Sequence, residues 1–521
     1  MLTPEEFGLP PKFKSWRPHQ WEAVEAAMFS ERRFVIQCAP TGFGKSIVYI
    51  AQAKVAGLRT FVLTSTKGLQ DQLIDDFGAV GLVDVRGMNN YECLEVVMPG
   101  RKVRCDEGPC HAGYRCAMKS GGCLYYDAVR KAKESPLVVT NYAYWMTAKN
   151  AGVDLGEIDL LVLDEAHDAP DELASFLHVE IQAHEVEGVL GTRFPQEGCE
   201  MDTLRSWAAY HGARAGERLE AIKQGAAAGG ERPSNAIYEA KTLRDLQRRL
   251  QFLARAEGEW GAERKERSMH WDPVWPGEYA ERMLFSGVKH VVLVSATVRP
   301  KTAKLLNIRP SDYEFREYPS SFPPERRPII HVPTVRMNRH TPPGEIKRWL
   351  ARIDQLISKR LDRKGIVHTV SYKRRNEIVA HSEYKEFMVI HESRNTAAAV
   401  HNFKRMPAPA IMVSPSLGTG WDFPYSECHF MIVGKLPYPD VSTKVMKART
   451  REDAEYTSYL AAQALVQMSG RGMRAEDDWC EVLVLDDNLT WFVRKYKDFL
   501  PAWFTASIQW SKMNPEPLWV K

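Results

Sequence analysis

Short apolar runs alternate with amphipathic, helix-forming stretches over most of the chain. Such runs are typical of buried parallel strands, because a strand covered by helices on both faces has no solvent-facing side. They fall into two series, residues 33–38, 61–63, 137–139, 160–163 and 291–294 in the first and residues 365–367, 387–390, 410–413, 430–433 and 482–485 in the second. This pattern predicts an α/β protein with two sheet-based lobes in tandem.

Two segments interrupt the first series and predict inserted domains. Residues 86–135 contain five of the nine cysteines of the chain. Residues 169–278 are rich in helix-forming residues and Arg/Glu pairs, which predicts a helical insertion. The lobe boundaries follow from these insertions: we expect residues 1–85, 136–168 and 279–315 to form the first lobe, and residues 316–521 to form the second. Four prolines between positions 319 and 328 predict a stiff link between them.

The composition is that of a multidomain globular protein. The chain has 521 residues, of which 44% are hydrophobic and 26% are charged, with a formal net charge of +4. This small positive excess permits nucleic-acid binding without requiring it. No apolar run approaches the roughly 18 residues of a membrane span, and the N-terminal residues lack a secretory leader pattern. We therefore expect a cytoplasmic protein that does not associate with membranes.

The sequence APTGFGKS (residues 39–46) lies between the first predicted strand and a helix. A strand, a glycine-rich loop and a helix in this order predict a phosphate-binding loop, because the loop amides and the helix N-terminus both favour phosphate oxygens. Lys45 is expected to reach the β- and γ-phosphates of ATP, and Ser46 to bind Mg²⁺. A chance glycine-rich turn is the competing interpretation. The residues predicted to bind the nucleotide here are Thr41, Gly42, Gly44, Lys45 and Ser46.

An acidic pair ends a later strand of the first series. Asp164 and Glu165 follow the run 160–163, where an α/β sheet places catalytic groups. Asp164 is predicted to bind Mg²⁺ and Glu165 to polarise the attacking water, whereas a solvated acidic turn is the alternative. Upstream, the amide of Gln20 both donates and accepts, so it is a candidate to read the adenine edge. Residues 295–297, Ser-Ala-Thr, are small hydroxyl residues placed to couple this site to a neighbouring segment.

The second series carries candidate phosphate-binding arginines. Arg471 and Arg474 are three residues apart, on one face of a helix, and follow Gln467. A second lobe can supply such arginines to stabilise charge on a transferring phosphoryl group. Gly420 and Asp422 follow the run 410–413, and glycine there permits close approach of the backbone to a nucleotide or a nucleic-acid strand. A solvated basic helix and a plain turn are the competing interpretations.

The order of these motifs resembles that of the XPD/DinG-like iron–sulfur DNA helicases of superfamily 2, with the DEAH box at residues 164–167. The resemblance covers nearly the whole chain. It implies two RecA-like lobes, an iron–sulfur cluster domain at residues 86–135 and a helical arch domain at residues 169–278. It also adds His167 and Gln467 to the catalytic set of Lys45, Asp164, Glu165, Arg471 and Arg474.

The same resemblance implies three cofactors, ATP, Mg²⁺ and a [4Fe–4S] cluster. It implies a monomer that binds single-stranded DNA and forked duplex DNA, moves 5′→3′ and unwinds duplex or DNA/RNA hybrid. A DNA-dependent ATPase that acts as a remodelling or recruitment module without strand separation is the alternative, since both need the same motor.

Five cysteines in residues 86–135 compete for the four positions that such a cluster offers. The last ligand of the family precedes an aromatic pair, and Cys123, followed by Leu-Tyr-Tyr, matches it. Cys93 fits the first ligand, and Cys110 and Cys116 fit the middle pair by spacing. Cys105 is then the cysteine that is not expected to be a ligand. A structural zinc ion is the alternative, because four cysteines also suit Zn²⁺.

Overall fold

The computed structural model describes residues 3–96, 100–228, 234–417, 421–473, 475 and 477–519, without the side chains of 226–228 and 234–237. Within these ranges two seven-stranded parallel sheets form the centres of two lobes, and a small antiparallel sheet lies in an insertion. Elements are numbered in chain order. No helix among the described residues is long and apolar enough to cross a bilayer.

The first sheet has the strand order β10-β1-β9-β5-β2-β4-β3. Alternate residues of each strand pack on opposite faces. In β1, for example, Ile36 contributes to the core on one face and Val35 to the core on the other. All five predicted strands of the first lobe are confirmed. The strands are β1 (Phe34–Cys38), β2 (Thr60–Thr64), β3 (Val83–Asp84), β4 (Leu137–Asn141), β5 (Ile158–Asp164), β9 (Val288–Ser295) and β10 (Tyr313–Glu317).

The second sheet has the strand order β13-β14-β12-β15-β16-β11-β17, and its five predicted strands are confirmed. Strand β11 was not predicted because Pro333 lies within it, and proline argues against an internal strand. The pairing of β11 with β16 shifts register between His331 and Val335, so the proline sits in an irregularity. The strands are β11 (Ile329–Val335), β12 (Lys364–His368), β13 (Met388–Val389), β14 (Ala410–Ser414), β15 (Phe430–Val433), β16 (Glu481–Asp486) and β17 (Ile508–Gln509).

Helices cover both faces of each sheet. Side-chain caps begin several of them, since Asn141 accepts from the amide of Tyr144 and Thr443 accepts from that of Met446. In the first lobe and its insertions the helices are α1 (Gln20–Phe29), α2 (Lys45–Ala56), α3 (Lys67–Phe77), α4 (Pro109–Ala112), α5 (Leu124–Glu134), α6 (Tyr142–Asn150), α7 (Ala169–Leu177), α8 (Met201–Ala228), α9 (Ser234–Ala254) and α10 (Pro300–Leu305). In the second lobe they are α11 (Pro343–Ser358), α12 (Tyr372–His381), α13 (Thr396–Arg405), α14 (Lys444–Glu452), α15 (Tyr456–Ser469), α16 (Leu489–Lys495) and α17 (Ala502–Thr505).

The insertion predicted to be helical contains a sheet as well. Helices α8 and α9 pack antiparallel, since Gly212 faces Leu250 and Gly216 faces Gln247. An antiparallel sheet of order β6-β8-β7 lies at the root of this helix pair. Strands β6 and β8 mix apolar with polar residues, and β7 ends in three charged residues, so none has the continuous apolar run that marks the buried strands. They are β6 (Val179–Gln182), β7 (Trp260–Lys265) and β8 (Ser268–Pro273).

The proline-rich segment between the lobes is packed instead of acting as a free spacer. Strand β10 runs to Glu317, past residue 315, where the sequence predicted the first lobe to end. Phe322 is only 3% exposed, and the guanidinium of Arg327 lies over the ring of Trp503 in the second lobe. The segment therefore contacts both lobes.

Candidate nucleotide-binding site and cysteine cluster

The glycine-rich loop connects β1 to α2 in a conformation that needs its glycines. Gly42 and Gly44 have φ angles of +78° and +79°. A Cβ atom on Gly42 would lie 2.1 Å from the ring of Phe322, and one on Gly44 would lie 2.5 Å from Nε2 of Gln20. Lys45 then begins α2, so the N-terminus of this helix faces the loop. This is the geometry of an anion site at a helix N-terminus.

Gln20 contacts this loop through a side-chain hydrogen bond. Its side chain is buried, its Oε1 accepts from the amide of Arg17 at 2.7 Å, and its Nε2 donates to the carbonyl of Phe43 at 2.7 Å. Both hydrogen-bonding groups of the amide are thus engaged by backbone in this conformation. Its predicted contact with adenine stays a prediction, whereas its contact with the loop is observed.

The acidic pair lies beside the loop lysine. Nζ of Lys45 is 3.5 Å from Oε1 of Glu165. Asp164 is buried, and its carboxylate accepts from the hydroxyl of Tyr49 at 3.4 Å and from the amide of Glu165 at 3.0 Å. Ser46, the other predicted Mg²⁺ ligand, lies in the first turn of α2. The strand end and the helix start therefore bring the predicted phosphate and Mg²⁺ groups to one edge of the sheet.

The two carboxyl groups have opposite pKa shifts. Burial, followed by repulsion from Glu165, raises the pKa of Asp164 to about 7. Burial also acts to raise the pKa of Glu165, but Lys45, His167 and Arg471 outweigh it and hold that pKa below its usual value. A buried carboxyl group with a raised pKa is stabilised as an anion when a cation binds next to it. The pair therefore suits a site for a divalent cation.

His167 connects the acidic pair to the second lobe. Its Nδ1 is 2.7 Å from Oγ of Ser295, which in turn donates to Oε2 of Glu165 at 3.1 Å. Nε2 of Gln467, on α15, is 3.2 Å from Nε2 of His167 and 3.1 Å from Oγ1 of Thr297. When Gln467 donates to His167, the imidazole proton is on Nδ1 and is donated to Ser295. One hydrogen-bonded chain then runs from the second lobe to Glu165.

His167 also has a second carboxylate neighbour. Oδ1 of Asp168 is 3.1 Å from its Nε2. Burial lowers the pKa of His167, but Oε2 of Glu165, which is 3.3 Å from Nδ1, and the charge of Asp168 outweigh burial and raise the pKa overall.

The segment after α15 reaches the phosphate loop. A Cβ atom on Gly470 would lie 2.8 Å from Oγ1 of Thr41. Arg471 donates to the carbonyl of Trp421 at 3.2 Å and lies 3.6 Å from Oδ1 of Asp422. Burial lowers the pKa of Arg471, against the opposing effects of Glu165 and Asp168 in the first lobe. The predicted site residues Gly420 and Arg474 lie outside the described residues.

Two contacts to the loop were not predicted. The guanidinium of Arg17 donates to the carbonyl of Gly42, and the ring of Phe322 covers the same glycine. Phe322 belongs to the proline-rich segment, whose composition indicates only a linker. No local pattern marks it, because its contact with Gly42 joins residues 280 positions apart.

The five cysteines of the first insertion come together. A bridge between Glu92 and Arg104 places Cys93 beside Cys105, and Cys123 immediately precedes α5. Cys93, Cys105 and Cys123 are buried, and Cys110 and Cys116 are half-buried. A Cβ atom on Gly108 would lie 2.8 Å from Sγ of Cys93, so the backbone is closely packed around these thiols.

Neighbouring thiols raise one another's pKa values. Burial, followed by Cys123 and Cys93, raises the pKa of Cys105 to about 12, and burial with Cys116 and Cys123 raises that of Cys110 to about 11. Crowded neutral thiols lose their protons when a metal binds, so the chemistry of this donor set suits an iron–sulfur cluster. Cys105, which the sequence left over, lies inside the group, and Cys116 lies at its edge, 4.0 Å from Oε2 of Glu95.

Each of the two lobes matches a known protein family. Residues 17–179 match the DEAD/DEAH box helicase family, and residues 355–507 match the helicase C-terminal domain. A curated relative, the ATP-dependent DNA helicase YoaA of Haemophilus influenzae, is 28% identical over an alignment of 206 positions that covers 29% of this chain. The match spans about a third (32%) of the length of that relative.

Solved structures agree with this assignment. A structure of an XPD helicase has a TM-score of 0.62 and 13% identity, and covers 94% of this chain and 98% of its own. Xpd4 of S. tokodaii has a TM-score of 0.60 and 13% identity, and covers 95% of this chain and 100% of its own. These likenesses confirm the α/β fold with two RecA-like lobes. Among helicases, the chain resembles the YoaA relative in sequence and the XPD structures in fold. The two family matches together cover more than half of the chain, which therefore belongs to the DEAD/DEAH-box helicases of superfamily 2.

Proposed function

We propose that this protein is an ATP-dependent DNA helicase that moves 5′→3′ along single-stranded DNA and unwinds duplex or DNA/RNA hybrid. The observation that carries the proposal is the chain of hydrogen bonds from Gln467 through His167 and Ser295 to Glu165. Such a chain makes the position of Glu165 depend on the distance between the lobes. ATP hydrolysis is thereby coupled to lobe closure, as a stepping motor requires.

The residues at the sheet edge have separate roles in this proposal. Lys45 and the start of α2 hold the phosphates, and Ser46 and Asp164 are the residues that would hold Mg²⁺. Mg²⁺ bound there would neutralise developing charge on the transferring phosphoryl group. Glu165 orients and polarises the attacking water, because its lowered pKa keeps it ionised. Arg471 and Arg474 stabilise the transition state from the second lobe.

The nucleotide contacts are completed by residues from both lobes. Thr41, Gly42 and Gly44 present backbone amides to the phosphates. Gln20 is proposed to reach adenine when its bond to the loop rearranges, and Gly420 and Asp422 are proposed to approach the nucleotide from the second lobe.

The cysteine group is proposed to hold a [4Fe–4S] cluster. The proposed ligands are Cys93, Cys110, Cys116 and Cys123, and Cys105 is the alternative to Cys116 because it is buried and close to Cys123. Residues 86–135 would then form the cluster domain and residues 169–278 the arch, and together they would enclose one DNA strand. Single-stranded and forked DNA are the proposed partners of a monomer, a proposal that the name of the relative YoaA supports.

An unwinding assay tests the proposal. We expect strand separation with ATP and Mg²⁺ on a duplex with a 5′ single-stranded overhang, and none on the same duplex with a 3′ overhang. Glu165→Gln should abolish both hydrolysis and unwinding while ATP still binds, and exposed Glu187→Gln should behave as wild type. DNA-stimulated ATP hydrolysis without strand separation on any overhang would instead identify a remodelling ATPase.

A further inference from the structure

A second group of metal-ligating side chains lies on the small sheet, away from the cysteines. Strands β6 and β8 are antiparallel, with Glu180 opposite His270 and Val179 opposite Trp271. Side chains alternate between the faces of a strand, so His178 and Glu180 share one face with His270 and Asp272. The opposite face is buried in the core of the insertion through Val179, Ile181, Met269 and Trp271.

The geometry of this group fits a tetrahedral metal ion. Ligand atoms of His178, Glu180 and His270 all lie within 4.8 Å of one another. Nε2 of His178 is 3.3 Å from Nδ1 of His270. Two nitrogen ligands that each lie about 2.0–2.1 Å from a tetrahedral Zn²⁺ are separated by about 3.3 Å, so these two rings need little rearrangement.

Each candidate ligand is held by a further hydrogen bond on its outer side. Nδ1 of His178 is 2.8 Å from Oδ1 of Asp272, and Nε2 of His270 is 2.8 Å from Oγ of Ser268. Oε1 of Glu180 accepts from Nε2 of Gln182 at 2.6 Å. Histidines that bind metals usually use the second ring nitrogen in this way, which fixes the ring and raises its basicity.

The group is reached from one side. Glu180 and Asp272 supply two carboxylates beside the histidines, and Lys265 is the positive charge that acts on both rings. His178 and Asp272 line a cavity of about 430 Å³, whose lining also contains Lys265, Lys444 and Arg449. A hydrated ion can therefore reach His178 through this cavity.

We propose that His178, Glu180 and His270 bind a divalent transition-metal ion, for which Zn²⁺ is the best fit. Imidazole and carboxylate suit Zn²⁺, and three protein ligands leave the fourth position to water. The ion would join β6 to β8 at the root of the insertion. Because β6 follows the DEAH segment and α7, this site braces the insertion where it leaves the first lobe. The proposal does not depend on the helicase activity.

Zinc stoichiometry of the full-length protein tests this site. Wild type, the double variant His178→Ala/His270→Ala and the control His290→Ala are equilibrated with Zn²⁺, dialysed and analysed for zinc and iron. The variants share all cysteines, so metal held by thiols cancels in the comparison. We expect wild type and the exposed-histidine control to retain one more zinc per chain than the double variant. Equal zinc in all three proteins would overturn the proposal.

Two further measurements do not require the double variant to fold. Glu180→Gln keeps both histidines and should weaken Zn²⁺ binding at least tenfold, and unchanged affinity would contradict the role of Glu180 as a ligand. Pulsed electron paramagnetic resonance of Cu²⁺ bound to wild type should show nitrogen couplings from two imidazoles. Coupling to one imidazole or to none would exclude the paired-histidine site.

Discussion

At the residue scale, Glu165 adopts a conformation that few residues other than glycine tolerate. Its φ angle is +48°, directly after β5. Such a position costs about 1–3 kcal/mol and is found mainly where a surrounding network holds it. Here the ion pair with Lys45, the hydrogen bond from Ser295 and the hydrogen bond from the Glu165 amide to the Asp164 carboxylate hold Glu165 in place. This backbone conformation directs the carboxylate away from the strand and toward Lys45.

Cys123 provides a test of the cluster at the same scale. Cys123→Ser should remove the visible absorption of anaerobically purified protein and most of its iron, because serine cannot replace a thiolate ligand. Cys199→Ser, outside the cysteine group, should retain both. The same iron assay on Cys105→Ser and Cys116→Ser identifies the fourth ligand as the one whose substitution loses iron. A colourless wild-type protein that contains zinc would replace the iron–sulfur assignment.

The buried side chain of His368 should make the free energy of unfolding depend on pH. His368 ends β12, is 1% exposed, and its ring nitrogens have no hydrogen-bond partner among the described residues. Burial, with a contribution from Arg471, lowers its pKa to about 4, below the usual value of 6.5. The unfolded chain therefore binds more protons between these values, so stability is complete above about pH 6.5 and falls as the pH falls toward 4.

We expect a stability loss near His368 of about 2 kcal/mol between pH 7 and pH 5. Protection of the β12 amides in native-state hydrogen exchange measures it. His368→Leu should remove most of this loss, and exposed His290→Leu should leave it unchanged. An equal loss in wild type and His368→Leu would show that other groups cause it.

At the element scale, a buried ion pair joins the end of α11 to β16. The side chains of Arg360 and Glu481 are both 0% exposed, and they form two bonds, Nε to Oε1 at 2.8 Å and Nη2 to Oε2 at 2.9 Å. Nη1 of Arg360 also donates to the carbonyl of Leu356. The pair fixes the helix on the sheet in one position, since a shift along the strand breaks both bonds.

Removing one member of this pair should be costly. Arg360→Met leaves the buried carboxylate of Glu481 without its ion-pair partner, with only the amide of Leu518 among the described groups donating to it, and should destabilise the protein by about 3–5 kcal/mol in chemical denaturation. Arg360→Met/Glu481→Leu should recover most of this, because no isolated charge remains. Arg348→Met, on the exposed face of α11, is the control, with an expected change below about 1 kcal/mol. If the double variant is as unstable as the single one, the loss of stability comes from the packing of Arg360 and not from its charge.

At the scale of the whole molecule, several contacts between the lobes are polar. Nζ of Lys301 pairs with Asp453 at 2.5 Å, and the hydroxyls of Thr302 and Tyr459 are 2.6 Å apart. Gln467 adds the contacts to His167 and Thr297 beside the acidic pair. Polar contacts of this kind can be made and broken without exposing apolar surface, so these contacts suit repeated opening and closing.

Gln467→Ala tests whether this interface couples hydrolysis to DNA binding. Loss of a hydrogen bond worth about 1.4 kcal/mol should reduce the DNA-stimulated kcat for ATP about tenfold. ATP binding, measured with a fluorescent analogue, should change little because Gln467 contacts protein groups. Ser469→Ala, whose hydroxyl donates to the carbonyl of Leu465 in its own helix, is the control. If DNA stimulates ATP hydrolysis by the variant as strongly as by wild type, this contact does not couple hydrolysis to DNA binding.

Patterns within a few residues predicted much of this molecule. Buried parallel strands are continuous apolar runs, so β5, β9 and β14 were recognised from the sequence. Strands β6, β7 and β8 were missed because one face is polar. Strand β11 was missed because its proline argues against it locally, while its place between two strands is set by tertiary packing. Lys45, Asp164 and Glu165 were found because strand ends and loops carry local signals.

The two α/β lobes, the phosphate loop, the acidic pair and the group of cysteines are predictable from the sequence, because each is encoded by neighbouring residues. Contacts between distant residues are visible only in the folded chain: Phe322 over Gly42, Gln467 beside His167, and Cys105 among the other thiols. Such contacts depend on loop closure and packing over hundreds of residues, and no short pattern records them. The pairing of His178 with His270 across two strands has the same origin.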